Sequence, residues 1–177
     1  MSARGFGTAS VTALPAGVTL RDETDSDIEF VAGLYASTRE VELRPVAWPD
    51  AQKQIFLRQQ FDLQRVHYHQ HYAGAQWLII LRDTVRIGRL YVKTGAAEVR
   101  LMDVALIDAQ RRQGIGTALM RNLLDYADAR CFPVTLHVEP FNPAIRLYDR
   151  LGFVRMEMRG IYCFMERPAG GAAVKST

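Results

Sequence analysis

An α/β (α+β) domain with a mixed central sheet and one anion-binding turn is predicted by three features of this sequence. Apolar runs and amphipathic stretches follow one another in the order β-α-α-β-β-β-α-β-α-β-β. The segment Arg111-Arg112-Gln113-Gly114-Ile115-Gly116 comes after the apolar run Val104-Ala105-Leu106-Ile107 and opens the helical pattern Thr117-Ala118-Leu119-Met120. The 177 residues, 49% apolar and 23% charged, have the size and composition of one soluble domain with a proper core.

Each element has a local reason. Val18-Thr19-Leu20 reads as a short strand. Ser26 and Glu29 have capping-box spacing for a first helix whose apolar face is Ile28, Val31, Leu34 and Tyr35. Ser37 to Pro49 is polar and reads as a connection containing Arg39, Glu40, Glu42 and Trp48. Pro49-Asp50 starts a long Gln-rich helix to about Gln70, with Phe56, Leu63 and Val66 as a weak apolar stripe. Gln76 to Leu81 and Val85 to Val92 form a hairpin around Arg82-Asp83-Thr84, and Glu98 to Leu106 is a further strand. A helix from Gly114 to about Arg130 turns Ile115, Leu119, Leu123 and Ala127 inward. Val134 to Val138, Phe153 to Met158 and Ile161 to Glu166 are the remaining strands. The Gly/Ala/Ser/Thr-rich segment 1–16 and residues 168–177 read as loose tails around one domain, 17–167.

The turn at residues 111–116 suits a pyrophosphate. Glycines let backbone N–H groups approach phosphate oxygens, and the positive end of the following helix dipole points at the anion. The spacing Arg-x-x-Gly-x-Gly is neither a Walker loop nor Gly-x-Gly-x-x-Gly. Other classes lose ground on composition. A net charge of +3 is too mild for a nucleic-acid surface, and no apolar run approaches the ~20 residues that span a membrane. Cys131 and Cys163 have no framework or metal spacing, so no metal is expected, and a reducing, cytoplasmic compartment is the simple reading.

A second segment, Asn142-Pro143-Ala144-Ile145-Arg146-Leu147-Tyr148-Asp149-Arg150-Leu151-Gly152-Phe153, is coherent on its own. Asn142 can cap a helix, Pro143 suits its first position, and Gly152 suits a left-handed C-terminal cap. Ala144, Leu147, Tyr148 and Leu151 share one face. The two segments lie about thirty residues apart. Together they resemble the markers of the GNAT N-acetyltransferase superfamily: the acetyl-CoA loop Gln/Arg-x-x-Gly-x-Gly/Ala and the later Asn…Ala…Leu-Tyr…Gly-Phe. The resemblance covers roughly Val18 to Arg167. Many members have one more residue between the Asn and the Ala than is found here.

The resemblance implies a central, mostly antiparallel sheet of about seven strands flanked by about four helices and splayed at the acetyl-CoA site. The pantetheine arm would pair with the backbone of Val104, Ala105 and Leu106, and the pyrophosphate would sit on Arg111, Arg112, Gln113, Gly114, Ile115, Gly116 and Thr117, with Asn142 and Tyr148 also at the cofactor. A backbone N–H near Leu106 would stabilise the developing oxyanion. Tyr148 occupies the family's tyrosine position and is expected to protonate the departing thiolate. His137 matches a catalytic Glu of ribosomal-protein N-acetyltransferases and is one candidate base. Asp103, a carboxylate inside an apolar strand, is its rival; a salt bridge to Arg100 or Arg89 is the structural alternative. Glu98 ranks third. Arg39, Glu40, Glu42, Trp48, Tyr68 and His71 are candidates for the acceptor wall.

The implied activity is direct transfer of acetyl from acetyl-CoA, as co-substrate, to a primary amine of a small molecule or protein. A non-catalytic acyl-CoA-binding sensor or scaffold would keep the loop but need neither acid nor base. A third reading, an acetyltransferase acting on charged tRNA, is disfavoured by the modest charge. A homodimer is a family-level expectation.

Overall fold

The structure is a computed structural model and describes Phe6 and residues 14–171. The outer parts of both segments expected as tails, 1–5, 7–13 and 172–177, lie outside the described residues. Phe6 itself is buried, edge-to-face on Tyr126 with ring centroids 5.5 Å apart, and its N–H donates to Gln76 Oε1.

Seven strands form one sheet: β1 Val18–Asp22, β2 Gln76–Arg82, β3 Val85–Thr94, β4 Val99–Leu106, β5 Val134–Val138, β6 Val154–Arg159 and β7 Tyr162–Arg167. Their order is β1-β2-β3-β4-β5-β7-β6, and only β4 and β5 run parallel. The helices are α1 Ile28–Leu43, α2 Asp50–His71, α3 Ile115–Asp128 and α4 Ile145–Arg150. Among the described residues no helix is long and apolar enough to cross a membrane.

Alternation along the strands feeds two cores, one on each face. Leu78, Ile80, Leu90, Val99, Leu101, Leu136 and Met165 pack with Ile115, Leu119, Leu123 and Ala127 of α3, the helical face expected from the spacing. Ile79 faces the other way, onto Val31, Ala32 and Tyr35 of α1 and Leu57 and Phe61 of α2. At about 1.5–3 kcal/mol per large apolar side chain, burial on both faces makes the sheet a rigid frame for what its strand ends carry.

Three local expectations need correction. The box that starts the first helix is formed by Thr24 and Asp27 on a 3-10 turn, Asp25–Asp27, and not by Ser26 and Glu29. Both pairs fit the spacing; Asp27 prevails because its buried carboxylate also receives two arginines. Ser37 to Leu43 is helix and not connection: Arg39 and Glu42 pair at i,i+3, and Ser37 and Thr38 donate back to the carbonyls of Leu34 and Tyr35. The stripe of α2 is Leu57 and Phe61, continued by the half-buried Gln64 and Tyr68, while Leu63 and Val66 are exposed. Polar residues on the inward face hid it from the apolar pattern.

Candidate active site

Two breaks in the sheet create the site. In β4, Tyr91 pairs with Asp103 but Val92 pairs with Leu101, so Met102 is the extra residue of a bulge. On its other side β4 pairs with β5 only through Val99, Arg100 and Leu101. Among the described residues no strand pairs with that edge beyond Leu101, and Met102 to Ala105 border a cavity of about 770 Å³, which Leu106 does not line. Val104 and Ala105 line this cavity, as do Asp103, His137, Asn142 and Tyr148. The same close approach fixes Gly88 on β3, where a Cβ would come within 2.3 Å of the Ala105 carbonyl oxygen.

The start of α3 follows β4 in the chain, and none of residues 111–117 lines the cavity. Arg112 and Gly114 both take left-handed backbone conformations, with φ of 60° and 80°. Gly114 is the N-cap and supplies no side chain to the first turn, and its carbonyl accepts the Ala118 N–H. The first N–H groups of this 14-residue helix therefore lack an intrahelical acceptor. Added Cβ atoms at Gly114 and Gly116 would meet open space, so packing does not explain these glycines; the φ of Gly114 explains one of them. Arg111 is partly committed: Nε donates to Leu106 O at 2.9 Å and Nη1 pairs with Asp108 at 2.6 Å. Gln113 bridges Ala109 O and Arg82. These bonds hold the loop against the end of β4.

The Asn142 segment enters from the other wall. Asn142 Oδ1 accepts the Ala144 N–H at 2.9 Å, but α4 begins at Ile145 with Ala144 as its N-cap, so Asn142 shapes the turn before the helix and does not cap it as the spacing predicts. Gly152 has φ 86°, and Phe153 N–H returns to Tyr148 O at 3.1 Å, closing the helix as the glycine predicts. Tyr148 is thereby placed at 6% exposure beside Phe153 and at the cavity wall. Burial, and then the nearby charge of Asp103, push its phenol pKa well above the usual value, so it holds its proton at neutral pH.

The two candidate bases are both engaged. Asp103 pairs with Arg89, which is 3% exposed and lies between the rings of Tyr35 and Tyr91 at 5.9 and 5.0 Å. Arg89 Nε and Nη1 have no hydrogen-bond partner among the described residues, where the guanidinium is held by Asp103, the rings and a 3.4 Å contact to Gln64. His137 Nδ1 contacts Arg100 Nη2. An arginine only donates, so Nδ1 accepts and the neutral ring carries its proton on Nε2. Burial first, then Arg100 and Arg159, lower the His137 pKa, with Glu98 and Glu157 opposing. Glu98 accepts from Thr135 Oγ1 at 2.8 Å.

Of the acceptor-wall candidates, Arg39, Glu42 and Tyr68 line the cavity; Glu40, Trp48 and His71 do not. Tyr68 reaches Met102 O at 3.4 Å, and burial raises its pKa. Arg39 joins α1 to the end of β5 through Glu139 at 2.5 Å. Sequence reasoning missed Glu139, Arg89, Arg100, Arg159 and Tyr162 as wall residues. The only available signal was charge on the strand face opposite the apolar one, shown by Arg89, Arg100 and Asp103.

Comparisons with known proteins agree with this geometry. The PaiA N-acetyltransferase from Thermoplasma acidophilum, solved in complex with coenzyme A, superposes with a TM-score of 0.65 at 16% identity, over 85% of this chain and 98% of that one. The ribosomal-protein-S18-alanine N-acetyltransferase from Escherichia coli gives 0.58 at 19% identity, over 90% and 99%. Naa50 from Arabidopsis thaliana, in complex with a bisubstrate analogue, gives 0.54 at 18%, over 85% and 97%. At these identities the likeness is one of fold. No curated protein sequence matches the chain. The sequence model of the acetyltransferase (GNAT) family matches residues 37–153, which include both motifs and most of the cavity lining, and the chain belongs to that family.

Proposed function

We propose that this protein is an acetyl-CoA-dependent N-acetyltransferase acting on a primary amine, with residues 17–167 as its catalytic domain. The observation that carries this reading is the edge of β4 beyond Leu101, unpaired among the described residues, followed in the chain by the uncapped start of α3. An open strand edge can pair with an amide-bearing arm, and an uncapped helix start with glycine access can hold a pyrophosphate. The residues present fit both. Val104, Ala105 and Leu106 would hold the pantetheine arm, and residues 111–117 the pyrophosphate, with Arg112 contributing charge.

Acetyl-CoA supplies a thioester whose acetyl carbon bonds to the amine nitrogen while its sulfur leaves as a thiolate. Tyr148 is assigned as the proton donor to that sulfur: it lines the cavity, and its phenol is protonated at neutral pH. Asp103 is assigned ahead of His137 as the group that takes the amine proton, directly or through water. The His137 Nδ1 lone pair is already held by Arg100, whereas the Asp103 carboxylate is 24% exposed at the cavity. Acid and base then line one cavity. This arrangement favours an enzyme over a binding-only module, which has no use for a buried phenol at an open strand edge.

Calorimetric titration with acetyl-CoA and with CoA tests the reading. Wild-type protein should bind between about 1 μM and 1 mM. Gly114→Glu should abolish binding, because it strains a left-handed position and puts a negative charge on the helix start. No binding by wild type at about 1 mM would overturn the proposal.

A further inference from the structure

The cavity wall carries four arginines, and their partners are unevenly shared. Arg39 has two carboxylates, Glu42 at 2.9 Å and Glu139 at 2.5 Å. Arg89 has Asp103 and Arg159 has Glu157. Arg100 has none among the described residues; its contacts are the neutral His137 and the ring of Tyr72, 5.7 Å from the guanidinium. The wall is therefore bipolar. One part has a carboxylate in excess at Glu42 and Glu139, and another has an uncompensated guanidinium at Arg100.

Arg100 is also held ready. Guanidinium has five N–H donors in a rigid fork, and the contact to His137 uses one nitrogen. The imidazole and the Tyr72 ring orient the group without neutralising it. Its charge reaches into the site, since Arg100 and Arg159 both act to lower the His137 pKa. Half-buried on β4, Arg100 stands three residues before Asp103, across the bulge at Met102. A fixed, unpaired guanidinium beside an amine-accepting centre is suited to bidentate recognition of a carboxylate.

We propose that Arg100 binds a carboxylate of the acceptor, so that the substrate is a primary amine carrying a carboxylate close to its amino group. Its ammonium would meet Asp103 while its carboxylate meets Arg100. This inference rests on the acetyltransferase reading above. A free amino acid and a peptide with an acidic residue near its N-terminus both supply this chemistry, and the test separates them.

Two matched pairs serve as acceptors: alanine against alaninamide, and a seryl-glutamyl peptide amide against its seryl-glutaminyl counterpart. Alaninamide has the more easily deprotonated amine, so a preference for alanine cannot arise from amine basicity. Wild type should prefer the carboxylate member of one pair by roughly tenfold or more in kcat/KM. In Arg100→Gln that preference should vanish through a raised KM, with the neutral member changed by less than about threefold, and Arg100→Lys should restore part of it. Preference confined to the first pair identifies an amino acid; preference confined to the second identifies a peptide terminus. Equal rates within both pairs, or a preference kept in Arg100→Gln, overturn the proposal.

Calorimetric binding of the same four compounds, with and without CoA, gives a readout free of turnover. CoA binding without carboxylate discrimination sinks the Arg100 assignment alone. Carboxylate discrimination without CoA binding sinks the acetyltransferase reading and leaves Arg100 standing. Thermal melts of both variants check that they fold.

Discussion

Two arginine–carboxylate clusters in this molecule have opposite characters. At Asp27, Arg21 donates to both carboxylate oxygens at 2.7 and 2.8 Å, Arg86 adds a bond at 3.2 Å, and the Thr24 N–H and hydroxyl donate at 2.9 and 3.0 Å. The carboxylate is fully buried and fully satisfied, and it ties β1, the start of α1 and β3 together. In the cavity, among the described residues, Arg89 keeps two nitrogens without hydrogen-bond partners and Arg100 has no carboxylate partner. A completed network fixes geometry; an incomplete one retains interaction energy for a ligand.

Removing the satisfied carboxylate should have the largest effect on stability. Asp27→Ala deletes several charged hydrogen bonds but leaves half-exposed arginines that water can solvate, so the expected loss is about 3 kcal/mol. For a chain of this size that lowers the melting temperature by roughly 6–12 °C, measurable by calorimetry. An unchanged melting temperature would contradict the structural role. On the cavity side, Tyr148→Phe should reduce kcat by about 10²-fold with acetyl-CoA affinity unchanged, read by steady-state kinetics beside calorimetry. Unchanged turnover would remove the acid assignment.

Acid pH separates the clusters next. The Asp27 pKa is depressed chiefly by Arg21, with Thr24 and Arg86 assisting against burial. The folded state therefore takes up this proton less readily than the unfolded state. The stabilisation is full above about pH 4–5 and is lost as pH falls further. Melting temperature against pH should decline more shallowly in Asp27→Asn than in wild type below pH ~4. His137 has the smallest expected effect. Its depressed pKa adds a weak loss of stability as pH falls below about 6.5, absent in His137→Gln. Because Arg100 occupies its lone pair, His137→Gln should change kcat by less than about threefold; a loss above about 100-fold would return the base role to His137.

The parts legible in the sequence are those whose physics is local. The turn at 111–116 could be read because a left-handed glycine and an uncapped helix start are written in adjacent residues, and Gly152 ends α4 by the same local rule, whereas α4 starts at Ile145 and not at Pro143. The inward face of α3 followed from its spacing. The Arg89–Asp103 bridge was named only as one of two alternatives, because a strand pattern gives the face of a residue and not its cross-strand neighbour. The Arg39–Glu139 link joins residues 100 apart, and nothing near either one announces it.

By itself, then, the sequence determined the order of the elements, the glycine turn that starts α3 and the helix that carries Tyr148, since caps, glycines and periodicity act over a few residues. Only the tertiary structure decided that β4 bulges at Met102 and parts from β5 after Leu101, which α2 residues face inward, and how charge divides around the cavity. Those outcomes depend on register and on competition among distant partners. A buried guanidinium settles on whichever carboxylate the packed sheet brings to it.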